Sequence, residues 1–192
     1  MNEARQKRLE DVINFTDQEV ATIVKKLRDS SDWKNKILLL ILATGRRSVD
    51  ILKVTPIPLQ APDGKNGETQ ITITNASKSP KYEKNTRFPY DIPLLFIPYS
   101  EMVIDWTLVR SKLGDDVQLS NIEMTNKYNS MLNSRLRRVI GNKFVPGTRI
   151  GSHMLRKIYG AEAIRLYKPD NIENTVYINK VLGHVKGNLD VP

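Results

Sequence analysis

Apolar positions recur along this chain with two different periods, and the changes of period divide it. Thr16-Asp17-Gln18-Glu19 has the form of a capping box, and Val20, Ile23, Val24 and Leu27 follow at the spacing that lines one face of a helix. Ser31 and Asp32 precede a nearly all-apolar stretch, residues 33–43, which predicts a capped helix buried on most sides and stopped at Gly45. A helical pattern resumes over 46–54, with Val49, Ile51 and Leu52 apolar, until Pro56 and Pro58 forbid its continuation. Beyond these prolines the period shortens to two. Ile71-Thr72-Ile73-Thr74 alternates, and residues 87–94 are extended and limited by Pro89 and Pro93, so both read as strands of a small antiparallel hairpin at the edge of a little sheet. Residues 75–85 between them carry Lys78, Lys81 and Lys84 and form an exposed basic tip.

The helical period then returns. Ser100 predicts the cap of a helix to about residue 113, and Thr125 the cap of another to about 140. The second turns Met131, Leu132, Leu136 and Val139 inward and Arg135, Arg137 and Arg138 mostly outward. Two more helices are expected over about 152–167 and 171–182, the last opened by the capping box Asp170-Asn171-Ile172-Glu173. The expected class is α+β, mainly α: a helical domain over residues 16–192 with one small antiparallel sheet, preceded by a charged arm or linker over 1–15.

A length of 192 residues suits one domain or a compact pair of lobes, and 40% hydrophobic residues suffice to fill a core, which excludes the disordered and fibrous classes. Lys and Arg total 30 against 21 Asp and Glu, and the net charge of +9 favours a polyanionic partner, nucleic acid or an anionic membrane. The longest apolar run, 37–43, falls far short of the roughly 20 residues that a membrane-spanning helix needs. The polar start lacks the apolar stretch of a signal peptide, so the expectation is a soluble intracellular protein with no membrane partner. With no cysteine, disulfide scaffolds, thiolate zinc sites and cysteine nucleophiles are excluded together, and two histidines are too few for an all-histidine metal site.

Three clusters concentrate the chemistry: Thr44-Gly45-Arg46-Arg47-Ser48-Val49-Asp50, Ser152-His153-Met154-Leu155-Arg156-Lys157 and Leu182-Gly183-His184. The lysine-bearing hairpin lies between the first two. In this order they resemble the tyrosine recombinase family, the integrases and related DNA strand-exchange enzymes, over residues 16–192. Each cluster alone is common; both histidines of the chain fall in the two places where that family has them. The Gly45-Arg46-Arg47 form, residues 89–94 after the lysine hairpin, and Leu155-Arg156-Lys157-Ile158-Tyr159 look most like the telomere resolvase and large-DNA-virus branches, although phage integrases share the same skeleton.

Transesterification at a phosphodiester builds negative charge on the non-bridging oxygens, which fixed guanidinium forks bind bidentately as it develops. The resemblance implies Arg47 and Arg156 as that clamp, with Asp50 where the family usually has Glu. Taken singly, these arginines read first as helix-surface charge paired with Asp50 or Glu162, and the full constellation reverses that preference. A leaving 5′ oxygen needs a proton, which a lysine with a pKa lowered by neighbouring cations supplies. The resemblance implies Lys78, with Lys81 and Lys84 as alternatives. His153 is implied at the phosphate or in the nucleophile's proton transfer, and His184 as a donor to a non-bridging oxygen. Arg46, Lys81, Lys84 and Arg87 are candidate contacts to double-stranded DNA, as are Arg135, Arg138 and Lys157, and self-association on DNA is expected. No metal or other cofactor is implied.

The family's nucleophile is a tyrosine shortly after the Leu-Gly-His cluster, whose attack leaves a 3′-phosphotyrosyl link. The last residue here is Pro192, eight past His184, and no tyrosine follows His184; Tyr159, Tyr167 and Tyr177 precede it and read as packing aromatics. The expectation is a catalytic domain whose nucleophile lies outside this chain, inactive in cleavage by itself, with a non-catalytic DNA-binding relative as the alternative.

Overall fold

The computed structural model describes residues 15–63, 68–77, 89–141 and 151–183. Thr16 opens α1 (Asp17–Arg28) with the expected capping box: its side chain accepts from the Glu19 backbone N–H while Glu19 reaches back to the Thr16 backbone. Val20, Ile23 and Leu27 form its buried stripe. Asp32 caps α2 (Trp33–Thr44), where residues 37–43 are all essentially without solvent exposure. This helix packs against α1 and against three later helices: α3 (Tyr99–Ser111), α4 (Asn121–Ile140) and α5 (Ser152–Tyr167). A helix apolar on every side is stable only with neighbours all round it. Lys36 is the charged side chain in its buried stretch, and it pairs with Asp105 of α3 at 3.4 Å while donating to the Arg28 carbonyl at 2.8 Å. Burial holds the Asp105 carboxyl above the usual range, with Lys36 opposing.

The sheet has three strands rather than two: β1 (Leu59–Gln60), β2 (Gln70–Ile73) and β3 (Tyr90–Pro93), all antiparallel in the order β1-β2-β3. Ile71 lies opposite Ile92 and Ile73 opposite Tyr90, which turns the Ile71, Ile73 and Ile92 side chains into the core and Tyr90 toward the same face. Thr72 and Asp91 bond across the open face at 2.7 Å.

Four boundaries depart from expectation. The helix predicted over 46–54 leaves Arg46 and Arg47 outside helical structure and continues as a π-helical turn, Asp50–Val54. Helix α3 starts after Pro98, not Ser100. Helix α4 starts after Ser120, whose capping box with Glu123 takes the role expected of Thr125; the Thr125 hydroxyl instead donates back to the Asn121 carbonyl within the helix. The last helix, α6 (Asn174–Leu182), follows Glu173 without a side-chain cap, so the expected box at Asp170 does not form. Among the described residues, no helix is long and apolar enough to cross a membrane.

Candidate active site

The site begins where α2 stops. Gly45 takes a left-handed conformation, φ +64, and a Cβ there would run into the Tyr159 ring, so the turn needs glycine on both counts. The backbone then leaves the helix with Arg46 and Arg47 side by side. Arg47 is 22% exposed and sits 4.0 Å from the Asp50 carboxylate, which also accepts its backbone N–H at 3.1 Å. The other oxygen of Asp50 accepts the Ser77 backbone N–H at 2.6 Å. One carboxylate, 1% exposed, therefore joins the Arg47 turn to the residue immediately before Lys78.

The π-helical turn bearing Asp50 is itself held from a distance. Arg110 of α3 donates to the carbonyls of Asp50, Ile51, Lys53 and Thr55 at 3.1, 2.5, 2.9 and 2.7 Å, and the Asp50 carbonyl also accepts the Thr55 backbone N–H at 2.9 Å. Burial lowers the Arg110 guanidinium to about 10, well above neutrality.

From the other side comes Arg156 of α5, 4% exposed, whose Nε donates to the Gly45 carbonyl at 2.6 Å and whose Nη2 donates to the Leu182 carbonyl at 3.2 Å. Burial is the main influence that pulls Arg156 down to about 9, and the guanidiniums of Arg47 and Arg46 add to it while Asp50 opposes. Burial likewise lowers Arg47, with Asp50 opposing and Arg46 adding. Three guanidiniums thus share a corner with one carboxylate, a surplus of fixed positive charge that an anion would relieve.

The arginines predicted to act together, Arg47 and Arg156, are brought into one corner. His153 is exposed in the first turn of α5, three residues before Arg156, and Lys157 is exposed next to it in sequence. Lys78, Lys81, Lys84, Arg87 and His184 lie outside the described residues. Arg138 is exposed on α4. One candidate DNA contact is corrected. Arg46 is 1% exposed, its guanidinium spent on Tyr90 and on backbone carbonyls, so it does not face a DNA surface. Arg135 is half-buried and pairs with Asp32 at 2.5 Å, joining α4 to the start of α2.

Tyr159 and Tyr177 are buried and Tyr159 donates to the Pro93 carbonyl at 2.9 Å; burial pushes both phenols up, which suits packing and opposes nucleophilic use. Sequence reasoning missed Arg110 and Tyr90. For Arg110 a signal existed: Met102, Trp106, Val109 and Leu113 form the buried stripe, and an arginine four residues after Trp106 stands at its edge. Among the described residues, no group of three or more His, Asp or Glu side chains is placed to hold a metal ion.

A mainly helical domain that gathers an arginine from the turn after its central helix, an arginine from a later helix and a buried acidic residue in one corner has the architecture of a tyrosine-recombinase-type catalytic domain. Residues 11–191 match the family described as telomere resolvase ResT/TelK catalytic domain, and the chain belongs to that family. The fold is similar to solved structures of protelomerase TelA. One is an alanine variant covalently complexed with substrate DNA, at 20% identity and a TM-score of 0.76, covering 98% of this chain and 62% of that one. Another is a variant complexed with a DNA hairpin product, at 20% identity and a TM-score of 0.79, with the same coverage. The chain therefore spans 62% of the length of these relatives. No curated protein sequence matches it.

Proposed function

We propose that this domain cleaves and rejoins double-stranded DNA by transesterification through a 3′-phosphotyrosyl intermediate, with hairpin telomere ends as product. The observation that carries the reading is the convergence of Arg47 and Arg156 on one buried, positively charged corner at the end of α2. In the first step a tyrosine oxygen bonds to phosphorus as the bond to the 5′ oxygen breaks. Arg47 and Arg156 bind the non-bridging oxygens as their charge grows. Lys78 gives the leaving 5′ oxygen its proton, His153 assists the tyrosine's proton transfer, and His184 donates to a non-bridging oxygen. In the second step a 5′ hydroxyl attacks phosphorus and the tyrosine leaves, so the ester is conserved with no external energy source. Joining a 3′ end to the 5′ hydroxyl of its complementary strand makes a hairpin.

The exposed Arg138 and Lys157 serve as backbone contacts in this reading, as do Lys81, Lys84 and Arg87, with affinity that falls as salt rises. Two copies on a symmetric site would treat the two strands alike, which motivates self-association on DNA. The protein acts inside the cell, wherever its DNA is, without a membrane partner.

The test uses the full product of the gene, incubated with its inverted-repeat target in the presence of a chelator and run on a denaturing gel. A protein–DNA adduct that survives denaturation, with hairpin-ended product, is expected. No adduct, or cleavage that strictly requires magnesium, removes the enzymatic reading and leaves a DNA-binding protein.

A further inference from the structure

Arg46 has no part in the chemistry described above, yet it is fully buried in the same corner. Its Nη1 donates to the Tyr90 hydroxyl at 2.5 Å, its Nη2 donates to the Val181 carbonyl, and its Nε donates to the Thr44 carbonyl at 3.3 Å. The guanidinium lies 5.8 Å from the Tyr90 ring centroid. Val181 and Leu182 are the last two residues of α6, so their carbonyls have no onward helical partner and sit at the negative end of the helix dipole. Arg46 takes the first and Arg156 the second. The chain then turns at Gly183, φ +68, where an added Cβ would lie 2.5 Å from the Tyr90 hydroxyl and 3.3 Å from Arg46 Nη1. Only a glycine passes between this pair and the helix end, and the residue that follows is His184.

We infer that Arg46, braced by Tyr90, is a positioning residue for the cleavage reaction: it fixes the turn at Gly183, which immediately precedes His184 in sequence, and ties that turn to the loop bearing Arg47. A buried cation beside two functional guanidiniums is unfavourable by itself, and its retention makes sense if the bonds it forms with Tyr90 and Val181 set the register between α2, β3 and α6. Leucine at this position would fill space without bonding any of the three. The inference rests on the proposed function, because it concerns how the site of that reaction is assembled.

The experiment is a double-mutant cycle on single-turnover cleavage by the full product of the gene. Arg46→Met is expected to lower the cleavage rate about 10-fold or more, the scale of a lost charge-assisted hydrogen bond, with DNA affinity little changed. In a His184→Ala background the same substitution should lower it by less than about 2-fold, because the group it positions is gone. Tyr90→Phe removes one hydroxyl and should give a smaller loss with the same dependence on His184, which keeps the question answerable where Arg46→Met does not fold. Equal fold-losses in both backgrounds, or a His184→Ala protein as active as wild type, overturn the inference while leaving the strand-transfer reading in place. A wild type that forms no adduct overturns that reading and this inference with it.

Discussion

Residues 37–43 and residues 44–50 are two consecutive stretches of equal length held in place by opposite means. In the first every side chain is apolar and inaccessible, and stability comes from area removed from water, about 1.5–3 kcal/mol for each fully buried leucine or isoleucine. In the second, Arg46, Asp50 and the neighbouring Arg156 are as buried as that core, but each is held by directed bonds to carbonyls, amides or a phenol on distant elements. The first stretch tolerates any apolar filling of the right volume, whereas the second works only if each donor meets a particular acceptor. The apolar helix is the rigid platform, and the arginine corner is the precise device mounted at its end.

Breaking the platform should hurt the fold most. Leu39→Ala is expected to lower unfolding free energy by about 2–5 kcal/mol, measured by urea denaturation, as a cavity opens among the helices that surround α2. Breaking the device should separate function from fold. Arg156→Ala should cost stability only about 1–3 kcal/mol, for the two carbonyls left unpaired, while slowing cleavage by about 100-fold or more. A loss of activity no greater than the loss of stability explains would merge the two regions into one structural core.

A pH titration sharpens the comparison at a buried acidic side chain. Burial raises the Glu68 carboxyl above its ordinary value, with Gln70 and Lys180 opposing. A carboxyl raised in the folded state penalises folding when ionised: the penalty is absent below the ordinary glutamate value and complete above the raised one. Stability should therefore fall as pH rises through that window, and Glu68→Gln should flatten the dependence; thermal melts across the acid range measure it. The smallest effect belongs to the outer surface. Arg138→Gln should leave stability and cleavage chemistry unchanged and reduce the slope of log affinity against log salt by about 1, read from DNA binding at several salt concentrations.

What could be read in the chain follows the same division. The starts of α1 and α2 were legible because their capping side chains are local, each decided within a few residues, and the bounds of α5 also match the expectation although no side chain caps it. The start of α4 was misplaced because two hydroxyl residues compete, and Ser120 wins by having Glu123 three residues on. Strand β1 was invisible, since two residues with Leu59 exposed carry no period. The π-helical turn depends on Arg110, more than 50 residues away, and nothing in its own five residues encodes it. In the site, the pairing of Arg47 with Arg156 was implied by the family resemblance that the ordered clusters carry, but two adjacent arginines give no sign of which is buried. That choice is made by Tyr90 and the end of α6, both remote in sequence.

The central claim is that the corner formed by Arg47 and Arg156 neutralises charge that grows on the phosphate during cleavage. Its most direct test compares wild type and Arg156→Ala of the full gene product on two substrates, one with the ordinary scissile phosphodiester and one in which a methyl group replaces a charged non-bridging oxygen. The substitution removes the charge that the guanidinium would bind. The predicted result is a loss of about 100-fold on the phosphodiester and a loss several-fold smaller on the methylphosphonate. Equal losses on both substrates would contradict the account and assign Arg156 to holding α5, α2 and α6 together.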